Sequence, residues 1–265
     1  MIKRIIQFVS TMLSSKVGWY NYLKIKANKA SASTCVINGS KYSYSNGNVF
    51  IAQYEHIFTN HLYKFSTQAD SELLILDCGA NIGMATLYFK KEYPNSQVIA
   101  FEPDPKNFAI LKNNVTDNNL TKVTLVEKAI WVDSNGVNFE NNNNLGSKIN
   151  NADANKHSIT PSVSLNDIIE SNDKIDFLKL DIEAAEADVI ESCKNNLHKI
   201  DKMFIEYHAA PNEPQRLQHI LSILSEQGFR YYIKEDCSIT VNPFATINPI
   251  WGFDLQLQIF AYKNK

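Results

Sequence analysis

Leu73-Leu74-Ile75-Leu76-Asp77-Cys78-Gly79-Ala80-Asn81-Ile82-Gly83 decides how the rest of this 265-residue chain is read. Its apolar opening is too short for a helix and runs into turn-forming residues, which predicts a buried parallel strand. Two glycines then let the backbone turn sharply, and Met84 to Lys91 continues as a helix. A second apolar run, Gln97-Val98-Ile99-Ala100-Phe101, ends at Glu102, about 25 residues after Asp77. A Gly-rich turn after one strand, with an acid closing the next, is how open α/β sheets hold a nucleoside. The acid accepts hydrogen bonds from the ribose hydroxyls.

The spacing separates two kinds of nucleoside ligand. A dinucleotide needs three glycines as G-x-G-x-x-G, so that its diphosphate rests on a helix N-terminus. Here the pattern is Asp77-x-Gly79-x-Asn81-x-Gly83, with an acid before the first glycine. That acid repels a diphosphate and attracts the ammonium and sulfonium of S-adenosyl-L-methionine. The expected cofactor contacts are therefore Asp77, Gly79, Ala80, Asn81 and Gly83, followed by Glu102 and Pro103.

Working outward, the length suits one α/β domain with an extension. A net charge of −2 lacks the basic excess of a nucleic-acid-binding surface, so no nucleic-acid partner is expected. Cys35, Cys78, Cys193 and Cys237 are widely spaced with no C-x-x-C pair, which argues against zinc or a disulfide framework and suits a reducing cytoplasm. Ile2, Ile5, Ile6, Val9 and Leu13 recur at helical spacing, interrupted by Gln7, Ser10 and Thr11. The segment is too polar and short to span a bilayer, so no integral membrane segment is expected. It reads as an amphipathic helix that packs on the core or on a second subunit as a homodimer. Residues 1–45 are read as an N-terminal helical extension and 46–265 as the main domain.

Along that domain, Lys41-Tyr42-Ser43-Tyr44-Ser45 alternates like a strand, with Asn46-Gly47 as its turn. Gln53 to Lys64 reads as a helix from which Tyr54 and Glu55 could face a ligand. Asp104 and Pro105 signal a helix start, with Phe108, Leu111 and Val115 on one face. Val123 to Val126 is the next strand, and the loop that follows, at Glu127, Lys128 and Ala129, lies where an adenine ring would sit. Asp133 to Pro161 dissolves into Asn, Gly and Ser around short alternating pieces, read as a hairpin and a flexible loop beside the cofactor. Strands are expected at Ile175–Asp181, Lys202–His208, Arg230–Lys234 and Leu255–Ala261, with helices through Ile190 and Leu197 and from Glu213 to a stop at Gly228. The last strand alternates like a half-exposed antiparallel one. The expected fold is a doubly wound α/β sheet with that antiparallel strand near one edge.

The combination of Leu76-Asp77-Cys78-Gly79-Ala80-Asn81-Ile82-Gly83, Phe101-Glu102-Pro103, Leu111-Lys112-Asn113-Asn114-Val115 and Phe177-Leu178-Lys179-Leu180-Asp181-Ile182-Glu183 resembles the FkbM family of S-adenosylmethionine-dependent methyltransferases. The resemblance covers about Gln53 to His208. It implies the seven-stranded, Rossmann-like methyltransferase fold and O-methylation of a hydroxyl on a sugar, glycan or polyketide-type product. The family pattern has a glycine where this chain has Ala184, while Glu186 keeps the acid that follows. Alanine is strained there if φ must be positive, which puts the acceptor in question more than the cofactor.

Methyl transfer to an alcohol requires alignment of donor and acceptor and removal of the acceptor's proton. Asp181 and His208 lie at the carboxyl ends of strands expected to be neighbours, where open α/β sheets bind ligands. Asp181 is expected near the methionine amine or the acceptor, His208 as the base, with Glu183 the third catalytic candidate. Glu183 and Glu186 also sit where a helix start favours acids. Glu206 and His208 point to the same side of one strand, and with Asp181 and Glu183 would make a divalent-metal set of oxygen and imidazole ligands. Their spacing matches no dedicated metal motif, so a metal is not favoured. The function expected is O-methylation of a small-molecule or glycan acceptor, a sugar, glycan or glycolipid precursor. The alternative is a cofactor-binding partner subunit that has lost catalysis.

Overall fold

The computed structural model describes residue 25 and residues 33–68, 70–140, 148–149, 159–235, 242 and 244–263. The first core strand, β3 (Leu74–Cys78), is followed by helix α2 (Met84–Glu92), β4 (Gln97–Phe101), α3 (Pro105–Asp117) and β5 (Val123–Val126). Past the intervening segment come α4 (Leu165–Glu170), β11 (Phe177–Leu180), α5 (Glu186–Ser192) and β12 (Lys202–Ala209). Helix α6 (Leu217–Glu226), β13 (Arg230–Glu235) and β14 (Leu255–Tyr262) complete the domain. The seven strands lie in the order β13-β14-β12-β11-β3-β4-β5. β14 pairs antiparallel with both β12 and β13, and the other neighbouring pairs are parallel. The doubly wound sheet with one antiparallel strand beside its edge is as the alternation of apolar runs predicts.

Chain order reverses at β3, which has β4 on one side and β11 on the other. This is the topological switch point, where a crevice opens at the carboxyl ends of the strands. One face of the sheet packs Leu76, Leu178, Ile205 and Ile259 under Ile169, Ile190 and Leu224 of helices α4 to α6. The other face packs Ile75, Val98, Phe177 and Phe204 under an aromatic layer that includes Phe50, Tyr54, Tyr63, Tyr88 and Phe89. Helix α3 starts where Asp104 Oδ1 accepts from Lys106 N and Asn107 N, both at 2.9 Å, with Pro105 at its first position.

The N-terminal part departs from expectation. The described end of the region read as helical is a hairpin, β1 (Ser33–Ile37) with β2 (Ser40–Tyr44). Its turn is Asn38-Gly39, both at positive φ (50° and 80°), as two-residue hairpin turns require. Asn46-Gly47 does a different job: the Asn46 side chain accepts from Asn48 N and Val49 N and starts helix α1 (Gly47–Tyr54), six residues before the expected Gln53. A π-helical turn, Glu55–Thr59, ends that element, so it stops short of Lys64. The hairpin is tied to α3 by Asn114, which accepts from Ser43 N at 2.6 Å and donates to Ser43 O and Ile82 O. The amphipathic stretch Ile2 to Leu13 lies outside the described residues.

Between β5 and α4, β6 (Ala129–Trp131) pairs with β10 (Ser162–Ser164), and β7 (Val137–Glu140) pairs with β8 (Lys148–Ile149) and β9 (Ile159–Thr160). The expected hairpin therefore exists, and residues 141–147 and 150–158 lie outside the described ones. Helix α6 begins at Leu217 rather than Glu213. No described helix is long and apolar enough to cross a membrane.

Candidate active site

The turn after β3 is built on two constraints. Gly79 N and Ala80 N both donate to Phe101 O, at 3.1 and 2.8 Å, which clamps the turn to the end of β4. Gly79 also passes so close to β11 that a Cβ would lie 1.8 Å from Asp181 O. Asn81, at φ 50°, and Gly83, at φ 87°, complete the turn into α2. Asn81 N donates to Glu102 Oε2 at 2.7 Å and Asp104 N donates to Glu102 Oε1 at 2.9 Å. The two oxygens thus each take one backbone donor and each keep acceptor capacity. Glu102 is 6% exposed, and burial pushes its acid up to about 7 against the pull of those two N–H groups.

Beneath the turn lies a buried ionic knot. Asp77 is fully buried; its Oδ2 accepts from Thr86 Oγ1 at 2.6 Å and its Oδ1 faces Lys179 Nζ at 3.4 Å. Lys179 stands opposite Asp77 in the β3–β11 register and is 3% exposed. Its Nζ donates to Gly79 O at 2.8 Å and pairs with Asp181 Oδ2 at 3.2 Å. Burial opposes its charge, yet Asp181 and Asp77 outweigh that and hold the ammonium well above its usual pKa. One cation therefore ties together the turn, the first strand and the switch-point neighbour. Sequence reading left Lys179 within a motif and gave it no role.

Across from the knot, Asp181, Glu206 and His208 come together, with one ligand-type atom of each within 4.8 Å of the others. His208 is buried, packed against Phe253 with ring centroids 4.7 Å apart and the planes tilted by 46°. Its Nδ1 lies 3.3 Å from Glu186 Oε1, and its Nε2 lies 3.6 Å from Glu206 and 3.8 Å from Glu183. Burial disfavours an imidazolium here, but Glu186, Glu206 and Glu183 overcome it and hold the pKa well above the ordinary value. Glu186 is fixed in turn by accepting from Ile182 N and Ala184 N, at 3.1 and 3.2 Å. A helix-start acid is thus also the partner of a histidine 22 residues downstream. Glu183 and Ala184 both have positive φ, 58° and 76°. Alanine in place of the family glycine therefore carries the left-handed strain expected of it, about 1–2 kcal/mol.

The structure places the remaining candidates less centrally. Lys128 is exposed just past β5, and Ala129 is buried in β6 with its N–H on Pro161 O. Tyr54 belongs to the aromatic core, stacked on Phe58, so it does not face a ligand. Tyr63, which sequence reading passed over, is buried against Phe204, close enough for the charges of Lys179, Asp181 and Glu206 to act on its hydroxyl. Only the folded sheet brings it to the site.

The Methyltransferase FkbM domain family matches residues 77–231, more than half of the chain. The chain belongs to the FkbM methyltransferase family. Among curated proteins, Methyltransferase sdnD of Sordaria araneosa is 42% identical over 65 residues, covering 24% of this chain and 25% of that protein. The 31-O-demethyl-FK506 methyltransferase FkbM of Streptomyces tacrolimicus is 36% identical over 78 residues, covering 29% and 30%. The matched region thus spans less than a third of each relative. Among solved structures, M. jannaschii TYW2 in complex with AdoMet aligns at 12% identity with a TM-score of 0.47, covering 89% of this chain and 88% of that one.

The family's cofactor is S-adenosylmethionine, and the donor set fits it. Asp77, Glu102 and Asp181 converge at the switch point around one ammonium, Lys179, and the surplus negative charge suits a cationic nucleoside. Glu102 keeps free acceptor capacity for a ribose, and Asp77 Oδ1 is a buried oxygen without a hydrogen bond.

Proposed function

We propose that this FkbM-family protein transfers a methyl group from S-adenosylmethionine to a hydroxyl of a sugar, glycan or glycolipid precursor. The observation that carries the reading is the surplus of carboxylate over cation at the carboxyl ends of β3, β4 and β11, with a further polar row beside it. That row is unusual for a sheet face: Gln256 stands opposite His208 and Gln258 opposite Glu206, and both glutamines are buried. It leads to a cavity of about 360 Å³ lined by Asn60, His61, Lys234, Gln258 and Phe260 among others. Amides, two imidazoles and one aromatic ring suit a polyhydroxylated acceptor better than an apolar one. The Streptomyces relative's name places its methyl on oxygen, which favours a hydroxyl here.

S-adenosylmethionine, when bound, supplies a methyl group already activated on a sulfonium. Glu102 would accept from the ribose, the Gly79–Gly83 turn would back the methionine portion, and Lys128 and Ala129 would flank the base. Lys179 pairs with both Asp77 and Asp181 and holds them in place, and Asp181 would stand between cofactor and acceptor. The acceptor's proton goes to Glu183, 28% exposed at the mouth of the site, rather than to His208, whose side chain is 2% exposed and enclosed by carboxylates. The carboxylates retained around Ala184 argue against a chain that only binds cofactor.

Two experiments test this. Incubating the protein with methyl-labelled cofactor and cell extract separated into nucleotide sugars, lipid-linked glycans, polysaccharide and RNA should label a carbohydrate fraction. Glu183→Gln should lower that labelling about 10²–10⁴-fold with S-adenosylhomocysteine affinity unchanged; label in RNA alone would overturn the acceptor. The second uses pH. Ribose hydroxyls donate to Glu102 in its ionised form, so below its pKa of about 7 binding must expel a proton. Calorimetry should show S-adenosylhomocysteine affinity falling roughly tenfold per unit as pH drops below about 7. Glu102→Gln should flatten that slope; equal slopes would remove Glu102 from the ribose.

A further inference from the structure

Resting on the methyl-transfer reading above, we infer that Asp181, Glu206 and His208 bind a divalent cation of the Mn2+ type, with open positions facing the acceptor. Four features carry this. The three donor atoms lie within 4.8 Å of one another. Donors bound at about 2.1 Å stand about 3.0 Å apart in cis and about 4.2 Å apart in trans, so one ion spans such a set after small adjustments.

The imidazole gives the second. Its Nε2 faces Glu206 at 3.6 Å and Glu183 at 3.8 Å, beyond the 2.7–3.2 Å of an N–H···O hydrogen bond. A nitrogen this buried, aimed between two carboxylates at 3.6 and 3.8 Å, has the separation of two donors sharing a third atom. The opposite ring nitrogen supplies the third feature. Nδ1 sits on Glu186 Oε1, and Glu186 is anchored by the N–H groups of Ile182 and Ala184. A carboxylate on the far nitrogen is how proteins fix a metal-binding histidine's tautomer and aim its lone pair at the ion.

The last feature is chemical composition. One imidazole with two carboxylates, and a third carboxylate from Glu183 beside them, is too rich in oxygen for a structural zinc site and suits Mn2+ or Mg2+. Because Glu206 and His208 alternate on one strand while Asp181 ends its neighbour, the sheet itself holds the donors. The ion would take the acceptor hydroxyl on an open position and acidify it. As the O–CH3 bond forms, the C–S bond breaks with its pair going to sulfur, and the hydroxyl proton passes to a neighbouring carboxylate.

The test titrates Mn2+ into the metal-stripped full chain, with free ion counted by electron paramagnetic resonance. The expected result is one Mn2+ per chain, displaced by Mg2+. Affinity should fall at least tenfold in Asp181→Asn and Glu206→Gln and about 10- to 100-fold in Glu186→Gln. It should be unchanged in Glu191→Gln, an acid paired with Lys194 on the outer helix surface. Pulsed resonance on the wild-type protein needs no variant: coupling to one imidazole nitrogen is expected, and its absence at stoichiometric Mn2+ overturns the site. So does a wild type that binds no Mn2+, or variants that keep wild-type affinity. S-adenosylhomocysteine calorimetry on the same sample separates the two readings. Cofactor binding without Mn2+ binding removes the ion alone, and the loss of cofactor binding removes the methyl-transfer reading.

Discussion

Replacing Lys179 with Met should cost about 3–5 kcal/mol, because it leaves the fully buried Asp77 and the partly buried Asp181 uncompensated. Asp77 is the more exacting of the two: it is fully buried, and its Oδ1, which makes no hydrogen bond, loses the ammonium charge 3.4 Å away. Gly79 O loses its 2.8 Å partner at the same time, so the turn after β3 loosens along with the sheet. For a domain of this size the change corresponds to a melting temperature lowered by roughly 10 °C. The same mechanism predicts a rescue. Adding Asp77→Asn removes the stranded charge, so the double variant should melt above Lys179→Met, although below wild type. Thermal unfolding of the four proteins gives the coupling directly. If Lys179→Met melts within about 2 °C of wild type, or the second change gives no recovery, the knot does not hold the switch point together.

That knot marks the limit of what the sequence discloses. Strands β3, β4, β5, β11, β12, β13 and β14 each announce themselves as short apolar or alternating runs. Their parallel order follows from the helices between them, and β14's antiparallel insertion shows in its alternation. The Gly79–Gly83 turn and Glu102 are legible because one local turn contains the glycines that follow Asp77, and because an acid closes the next apolar run. Asp104 and Pro105 are legible for the same reason, since a cap acts within its own four residues.

What the sequence does not disclose is pairing at a distance. Lys179 reads as one polar residue in an apolar strand until β11 lies in register with β3. Glu186 reads as an acid at a helix start, a role it has. Its second role, holding Nδ1 of His208, exists only once β12 brings that ring alongside. The surroundings of His208 are of the same kind: the sequence gives a strand end, and the fold gives an imidazole enclosed by three carboxylates and Phe253. Two of the three Asn-Gly pairs show the converse, identical local chemistry with different outcomes. Asn38-Gly39 closes a hairpin because alternating strands flank it on both sides. Asn46-Gly47 caps a helix because an apolar helical run follows.

Gly79→Ala should be the most damaging small substitution in the chain, and a second glycine shows why conformation alone does not account for it. Gly79 and Gly228 have nearly the same φ, 81° and 77°, so an added methyl costs both about 1–2 kcal/mol of left-handed strain. Around Gly228 the new Cβ meets nothing within 4 Å, whereas at Gly79 it would lie 1.8 Å from Asp181 O and 2.9 Å from the carbonyl carbon. Those are backbone atoms at the end of β11, so no side chain can swing aside, and the overpacking adds about 1–3 kcal/mol. Gly228→Ala should therefore lose about 1–2 kcal/mol and bind S-adenosylhomocysteine as wild type does. Gly79→Ala should lose about 2–5 kcal/mol, and in the molecules that remain folded the turn must move off Asp181. Displacement on that scale separates Asp181 from Glu102 and lowers turnover roughly 100-fold. Denaturant unfolding measures the stability difference, and calorimetry on the folded fraction measures the binding loss. Equal losses at the two glycines would mean that β3 and β11 part without penalty at the switch point, and the close approach would then have no part in shaping the cofactor site.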